Sequence, residues 1–581
     1  MKIAILAASA MLFANTSAAV TYFRGGTGIG CTHTSIQDAL NAANDGGEDS
    51  EIIITRSLTY TNQALRIDDR FLTLRGGFER CNDLAPTAAY TSISGSGGTK
   101  QSVLSFHGYG EIRIDRLDIS GGDAEDHENG GGIYYGAKGF LRIFSSSIRN
   151  NRAGRGGAIA IDNPDATLRI DDNVLVHDNY ASDRGGGLYC KDAELLLHGS
   201  GSGFLYNRAL IEGGGMRLQN CDAEIASDGP LGAGVLYYNS SDQGGGISNT
   251  DSGVWIYTRD ANAPTKLANN HATGKGGAMI VRDYGEVHLL DTIVESNSSG
   301  DGGVAYLHSN TYGIPGVVAS SMKDPNTAIS APILAVACAS HLRCNRFFNN
   351  SANRNGSTVG EGAIIYSSYE TPLSYNFPGS SWPSGRSAPD FRMAIIDHNS
   401  GNSLFRINAH GDHWSVAQSQ ITENNLREAL IKANSNDTIH ITQNTISHNT
   451  ISSSLIKAKG LDLRCSIVNQ SNRIHEGSTL FAQFVMVPTS VQLPPSTQVL
   501  QATPKFINVA QNDFRLVATV SRITTEFSPG IDFATSDCGQ DTTATDRNGI
   551  ARPVDISLVP NQFGSFDLGA YEALLTQFWA P

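Results

Sequence analysis

The residues whose types and spacing could do chemistry fall into three short clusters. Asp123, Glu125, Asp126 and Glu128 crowd around His127. Glycoside hydrolysis needs paired carboxylates on one face, and a calcium-dependent lyase needs acidic ligands beside an Arg or Lys base. A short run of charge, however, is more often a solvated loop than a site. Asp171 and Asp172 are adjacent, so on a strand they point to opposite faces and only one can join a groove. His410-Gly411-Asp412-His413 sets two imidazoles around a carboxylate, a set able to bind metal or move protons, but it lacks the helical spacing of an HExxH site. In all three the structural reading outweighs the functional one. The sequence therefore assigns no catalytic, cofactor-binding or metal-ligating residue, and calcium enters only if the protein is an enzyme.

The elements that would position these groups are more legible. Glycine runs begin at Gly130, Gly156, Gly185, Gly213, Gly244, Gly276 and Gly302, each a few residues after an asparagine. The segments Ser147–Ile159 (SIRNNRAGRGGAI), Val176–Leu188 (VHDNYASDRGGGL), Leu205–Met216 (LYNRALIEGGGM) and Leu267–Met279 (LANNHATGKGGAM) can be read beside one another. Each has an apolar residue, an asparagine, a polar turn, the glycines and a short alternating stretch such as Ala158-Ile159-Ala160-Ile161. Alternation marks strands and glycine marks turns or close backbone approach. A unit of this length, without helical periodicity, fits a right-handed parallel β-helix, a pectate-lyase-like solenoid, rather than ankyrin, tetratricopeptide or propeller units.

Equivalent residues on neighbouring coils of a β-helix lie about 4.8 Å apart. Asn151, Asn179, Asn207, Asn239, Asn270 and Asn297 should therefore stack into a structural ladder, with turn asparagines accepting left-handed backbone angles. Asn350, Asn399, Asn425 and Asn449 continue the series, and its two gaps near 50 residues have room for two units each. Insertions over 311–344 and 367–390, rich in Pro, Ser and aromatic residues, read as long loops leaving one face of the stack.

The pairing of an [FILV]-x-x-N element with a following GGAI, over about Ser147 to Tyr306, resembles the repeats of the chlamydial polymorphic outer membrane proteins. That resemblance implies a β-helical passenger acting in adhesion. In those proteins a membrane β-barrel follows, and the alternating ten-residue strands of a barrel are not evident after Leu455. Before the repeats, Ile36, Leu40 and Ala43 share one helical face behind Ser35 as N-cap, which looks like the short capping helix opening many bacterial secreted β-helix proteins. Toward the end, Thr503–Asn508, Asn512–Leu516, Ser528–Asp532, Asp546–Pro553 and Asp567–Glu572 resemble, in order, the C-terminal module of bacterial choice-of-anchor β-helix proteins. The expected organisation is a signal peptide over 1–19, a cap and first coils over 20–100, a β-helix over 101–490 and a C-terminal β module over 491–581.

Lys2, the apolar run Ile3–Phe13 and the small residues Ser17-Ala18-Ala19 form a secretory signal too short to span a bilayer. The expected location is secreted or outer cell surface, with no transmembrane span in the mature chain. Eight cysteines in an exported chain imply disulfides. Cys190 and Cys221 open the aligned segments CKDAE and CDAE, which puts them on stacked coils within disulfide reach. The remaining pairs are read as Cys31 with Cys81, Cys338 with Cys344, and Cys465 with Cys538. A formal net charge of -14 repels polyanions and excludes nucleic acid as a partner, though it leaves room for a local basic groove. The expected function is a non-enzymatic, adhesin-like scaffold binding a glycan or host surface. The alternative is a polysaccharide lyase or glycoside hydrolase, which would gather three acidic residues from successive coils.

Overall fold

A computed structural model of the protein describes residues 21–26, 30–44, 50–97, 100–227, 229, 234–260, 263–309, 316–320, 345–354, 358–369, 390–392, 394–408, 414–433, 438–491, 493, 498–511, 513–521, 525–535, 538, 554–559 and 561–578. The chain is a right-handed parallel β-helix, with 54% of the described residues in strands and 3% helical. Its strands pair into sheets of 38 and 15 strands, with two small sheets near the C-terminal end.

One coil explains the rest. The strands Ser147–Arg149, Arg152–Arg155, Ile159–Asp162 and Ala166–Ile170 follow one another around the axis. Each pairs in parallel with its equivalent on the next coil, as Ile148 does with Val176 and Ile159 with Leu188. Alternation sends Ile159 and Ile161 inward, and the same inward position holds Ile119, Ile148, Val176, Phe204, Leu236 and Leu267 in the other sheet. Burying such a side chain contributes roughly 1.5–3 kcal/mol. The core is a set of aliphatic columns along one axis.

Helix α1, Ile36–Asn44, closes the N-terminal end of this core. Ser35 caps it, its Oγ accepting from the Asp38 amide at 3.0 Å, and Ile36, Ala39, Leu40 and Ala43 are buried. Behind it the strands Thr21–Gly25, Ser50–Thr55 and Leu65–Phe78 pair in parallel as the first coils. Cys31 and Cys81 are bonded across this cap, with Cα atoms 4.9 Å apart.

The asparagines form a continuous buried ladder. Asn179 donates from Nδ2 to the Asn207 Oδ1 at 2.9 Å and to the Ile148 and His177 carbonyls, while its own Oδ1 accepts from the backbone and side chain of Asn151. The same pattern links Asn207, Asn239, Asn270 and Asn297. Two details differ from the sequence reading. The left-handed conformation belongs to the residue before each ladder asparagine, as in Asn150, Asp178 and Asn269 (φ 53° to 55°), because the bend must turn before the amide can point inward. Asn424, not Asn425, occupies the ladder, accepting from Asn399 at 3.0 Å and donating to Asn449 at 2.8 Å. Asn425 instead opens the following strand opposite Ser400.

The gaps near 50 residues hold one coil each, not two. Asn297 bonds directly to Asn350 and Asn350 to Asn399, both at 3.1 Å. The added length supplies no rung, and part of the expected loops belongs to the stack itself, Gly316–Ser320 pairing with Glu286–Leu290 and Ile365–Tyr369 with Ala305–Ser309. Most of 311–344 and 367–390 lies outside the described residues, as do Cys338, Cys344 and the signal segment 1–19.

The glycines work at a corner. Gly185 has φ 68°, and a Cβ there would sit 2.3 Å from the Leu188 carbonyl oxygen; a Cβ on Gly186 would meet the Gly214 carbonyl oxygen of the next coil at 2.4 Å. The third position is less strict, and Ala158, Ala278 and Val304 occupy it elsewhere. An eighth corner, Gly362-Ala363-Ile364, stacks on Gly302-Gly303-Val304 and has Gly362 at φ 67°, but only its first position is glycine, so no run marks it in the sequence.

At the far end Phe506–Asn508 pairs with Asp513–Leu516, and Ala518–Ser521 lies between Thr525–Phe527 and Thr576–Phe578. Ile531, Phe533 and Leu568 pack against Ile467, Phe484 and Met486 of the last coils. The Cys465–Cys538 bond, with Cα atoms 5.8 Å apart, and a hydrogen bond from the Gly569 amide to the Cys465 carbonyl fasten this segment to the stack. Among the described residues no helix is long and apolar enough to cross a membrane.

Candidate functional site

The β-helix turns outward the side chains that alternate with its core columns, so function must be sought there. Where the clusters singled out from the sequence are described, Glu125, Asp171 and Asp172 are occupied with their neighbours. Glu125 is paired with Arg152 at 2.9 Å, and the side chains of Asp126, His127 and Glu128 lie outside the described residues. Asp171 is buried between Arg142 (2.6 Å) and Arg169 (3.0 Å), whereas Asp172 accepts from the Ser200 amide. His410–His413 lies outside the described residues. Among the described residues no three His, Cys, Asp or Glu side chains gather to hold a metal.

A polar cleft of about 470 Å³ opens instead beside the glycine corner, between the strands that precede and follow it. At its base is Glu212, which register places between Arg184 and Gln243 of the adjacent coils. Arg217 leaves the next strand between the inward-facing Met216 and Leu218, and Arg282 comes from two coils further on. Glu212 Oε2 lies 2.9 Å from Arg282, 3.4 Å from Arg217 and 3.9 Å from Arg184, and accepts from the Ser248 hydroxyl at 3.1 Å. Burial pushes its carboxyl up, but the arginines outweigh burial and hold it below the usual range. The 4%-exposed Arg217 is pushed down to about 10, first by burial and then by Arg282 and Arg184, despite the opposing pull of Glu212. Lys275 stands 4.4 Å over the Tyr306 ring, which is itself stacked on Tyr366 at 4.9 Å. A carboxylate so held is a fixed anchor for guanidiniums rather than a proton donor.

On the neighbouring sheet face, Glu224 receives His198 at 3.2 Å and the Tyr257 hydroxyl, and Arg259 donates to that hydroxyl at 3.3 Å. These bonds, His198 first, hold Glu224 down at about 2 against the opposing effect of burial. Trp255, 43% exposed, lies flat on His288 with ring centroids 3.9 Å apart.

A third group sits on the ladder bend. Tyr206 and Tyr238, on successive coils, stack at 5.2 Å with planes 10° apart and are about half exposed. Both are in the left-handed conformation (φ 55° and 53°), at positions that other coils fill with Asn150, Asp178, Asn269 and Asn349 and also with Ser296, His398, Glu423 and His448. An aromatic side chain there costs about 1–2 kcal/mol relative to ordinary backbone.

Sequence reading missed all three groups, because they are assembled from single residues some 30 positions apart. The available signal was coil alignment: Tyr189, Arg217, Ser248, Ile280 and Tyr306 occupy one column. No protein-family model matches the chain, and no match is found among curated proteins.

Proposed function

We propose that this is an exported or cell-surface β-helix scaffold, adhesin-like, that binds a glycan or host-surface ligand without transforming it. The observation that carries the reading is the Tyr206–Tyr238 stack. Two half-exposed rings held at strained bend positions on successive coils contribute nothing to the core. Strain retained at exposed aromatic residues is characteristic of binding sites, and tyrosine offers a flat apolar face with a polar tip to a sugar ring. The bonded pairs Cys31–Cys81, Cys190–Cys221 and Cys465–Cys538 support export. The likeness of the repeats and of the terminal segment to secreted bacterial β-helix proteins supports attachment at an outer surface.

The test is binding of the purified chain to a glycan array and to host-cell matrix. Tyr206→Ser with Tyr238→Ser should abolish capture while leaving the fold melting at the wild-type temperature or above it. Capture that ignores both substitutions sinks the reading.

A second reading, a polysaccharide lyase or hydrolase, is favoured by one observation only. Tyr257, its hydroxyl pushed up chiefly by burial and then by Glu224, is a protonated phenol beside an ionised carboxylate, with Trp255 as a neighbouring platform. A depolymerisation screen with and without calcium, repeated with Tyr257→Phe, tests it.

A further inference from the structure

The cleft around Glu212 has more positive charge than its own carboxylates neutralise. Arg184, Arg217, Lys275 and Arg282 line it against Glu212 and Asp283, in a chain whose net charge is -14. Three of those cations share the single carboxylate of Glu212. Asp183 approaches Arg184 at 3.4 Å but is bound more closely, at 3.1 Å, to Arg155. The Nε atoms of Arg184 and Arg217 are buried without a hydrogen-bond acceptor. Buried guanidinium donors left in this state are costly, and one further anion would relieve them.

The cations are also fixed in advance. Arg217 is tied by Nη1 to the Leu218 carbonyl at 2.7 Å and the Thr250 hydroxyl at 3.0 Å. Arg282 is held by Glu212 and by the Gln243 side chain. Lys275 rests on Tyr306. Holding donors rigid before a ligand arrives lowers the ordering cost of binding. The planar fork of arginine matches a planar carboxylate with two parallel hydrogen bonds. Gln243, Thr250 and His308 add polar groups of the kind that hydroxyls require, and the volume lies within the range of small-ligand clefts.

We infer that this cleft receives the carboxylate of an acidic saccharide, such as a uronic-acid unit of a longer glycan, with Arg184 and Lys275 as the contacts nearest solvent and Arg217 and Arg282 as the fixed charge behind them. The inference rests on the glycan-binding reading above and adds the class of sugar. An isolated carboxylate suits a compact cleft better than an extended polyanion, which the acidic remainder of the chain repels.

Titration calorimetry on the full chain decides the matter, using a galacturonate oligosaccharide, a sulfated oligosaccharide of equal length and a neutral galactose oligosaccharide at low and high salt. The galacturonate ligand should bind about tenfold or more tightly than either of the others, and its affinity should fall with salt. Arg184→Gln and Lys275→Gln should each weaken it about fivefold or more, the range expected for loss of a charged partner, and Lys275→Arg should restore it. Melting curves establish that these variants are folded. Equal binding of the neutral ligand, preference for the sulfated one, or galacturonate binding that survives both substitutions overturns the assignment and leaves the broader glycan reading standing. Failure of all three ligands, together with an empty glycan array, removes both.

Discussion

Asp178 carries the left-handed backbone that allows its neighbour Asn179 to turn inward: the bend falls on the exposed residue (φ 55°), and the amide one position later is buried and fully bonded. The same division of labour recurs at Asn150 with Asn151 and at Asn269 with Asn270. It separates two demands that a single asparagine would otherwise have to meet. The residue before the ladder varies, as Ser296, His398 and Glu423 show, and the sequence uses that freedom to display Tyr206 and Tyr238.

Asn179→Ala removes the donor to Ile148, His177 and Asn207 and the acceptor of Asn151 together. Each buried group left unpaired costs about 1–3 kcal/mol, so the loss should reach several kcal/mol in chemical denaturation. Asp178→Ala, by contrast, should cost only about 1 kcal/mol through its backbone conformation. Equal losses at the two positions would contradict this division.

Gly186→Ala should be far more damaging than a substitution of Gly187. A Cβ at Gly186 runs into the Gly214 and Arg208 carbonyl groups of the next coil; Ala363 holds the equivalent position only where Ser403, not a glycine corner, follows, whereas the position equivalent to Gly187 carries a Cβ in Ala158 and Ala278 with glycine corners following both. Yield of folded protein and melting temperature should rank wild type, Gly187→Ala and Gly186→Ala in that order.

The Cys190–Cys221 bond joins adjacent coils, with Cα atoms 5.9 Å apart and a sequence separation of 31. A closed loop of that length is worth about 3–4 kcal/mol in chain entropy. Cys190→Ala with Cys221→Ala should lower the melting temperature without altering binding at the Glu212 cleft. Peptide mapping of the unreduced chain should recover the two cysteines in one linked fragment.

Two carboxyl groups should respond to acid in opposite directions. Glu224 is held near 2 in the folded state, so its contribution is present above its ordinary value of 4.5 and is lost as pH falls toward 2. Because the side chain is 40% exposed, solvent screening limits the effect to about 1–2 kcal/mol. Glu224→Gln should destabilise at neutral pH and make little difference at pH near 2.

Asp532 is pushed up to about 6, chiefly by burial and also by Asp555, and Asp567 is raised by burial, Glu572 and Asp532. A raised folded-state value means that the folded C-terminal segment binds protons more tightly than the unfolded chain. Its stability should fall as pH rises from about 3.8 through about 6. The protection factors of the Ala518–Ser521 amides, with the intrinsic pH dependence of exchange divided out, should therefore rise on mild acidification; a fall would be the contrary result.

What the sequence determined by itself was everything that repeats. The glycine runs, the asparagine series and the alternation around Ile159 are local patterns, and a period requires that they stack; the fold was legible from that alone, and the Cys190–Cys221 bond was found although the alignment that suggested it is out of register, Cys190 facing Leu218 and Glu194 facing Asp222. Ser35 and the apolar face of Ile36, Leu40 and Ala43 defined the cap in the same way. The second polar column, in which the Ser202 hydroxyl accepts from the Val174 amide and the Asn444 Oδ1 from the Ser419 amide, was present as a small polar residue five positions before many ladder asparagines, but its role needed the bend to be seen. Coil count across the insertions was decided only in three dimensions, because hydrogen bonding from Asn297 to Asn350 is blind to how much chain intervenes. The Glu212 cleft was likewise invisible: its arginines and lysine come from Arg184, Arg217, Lys275 and Arg282, singly unremarkable in sequence. Only coil stacking brings the three arginines onto one carboxylate with Lys275 lining the same cleft, where low dielectric and short distance turn scattered surface residues into a site.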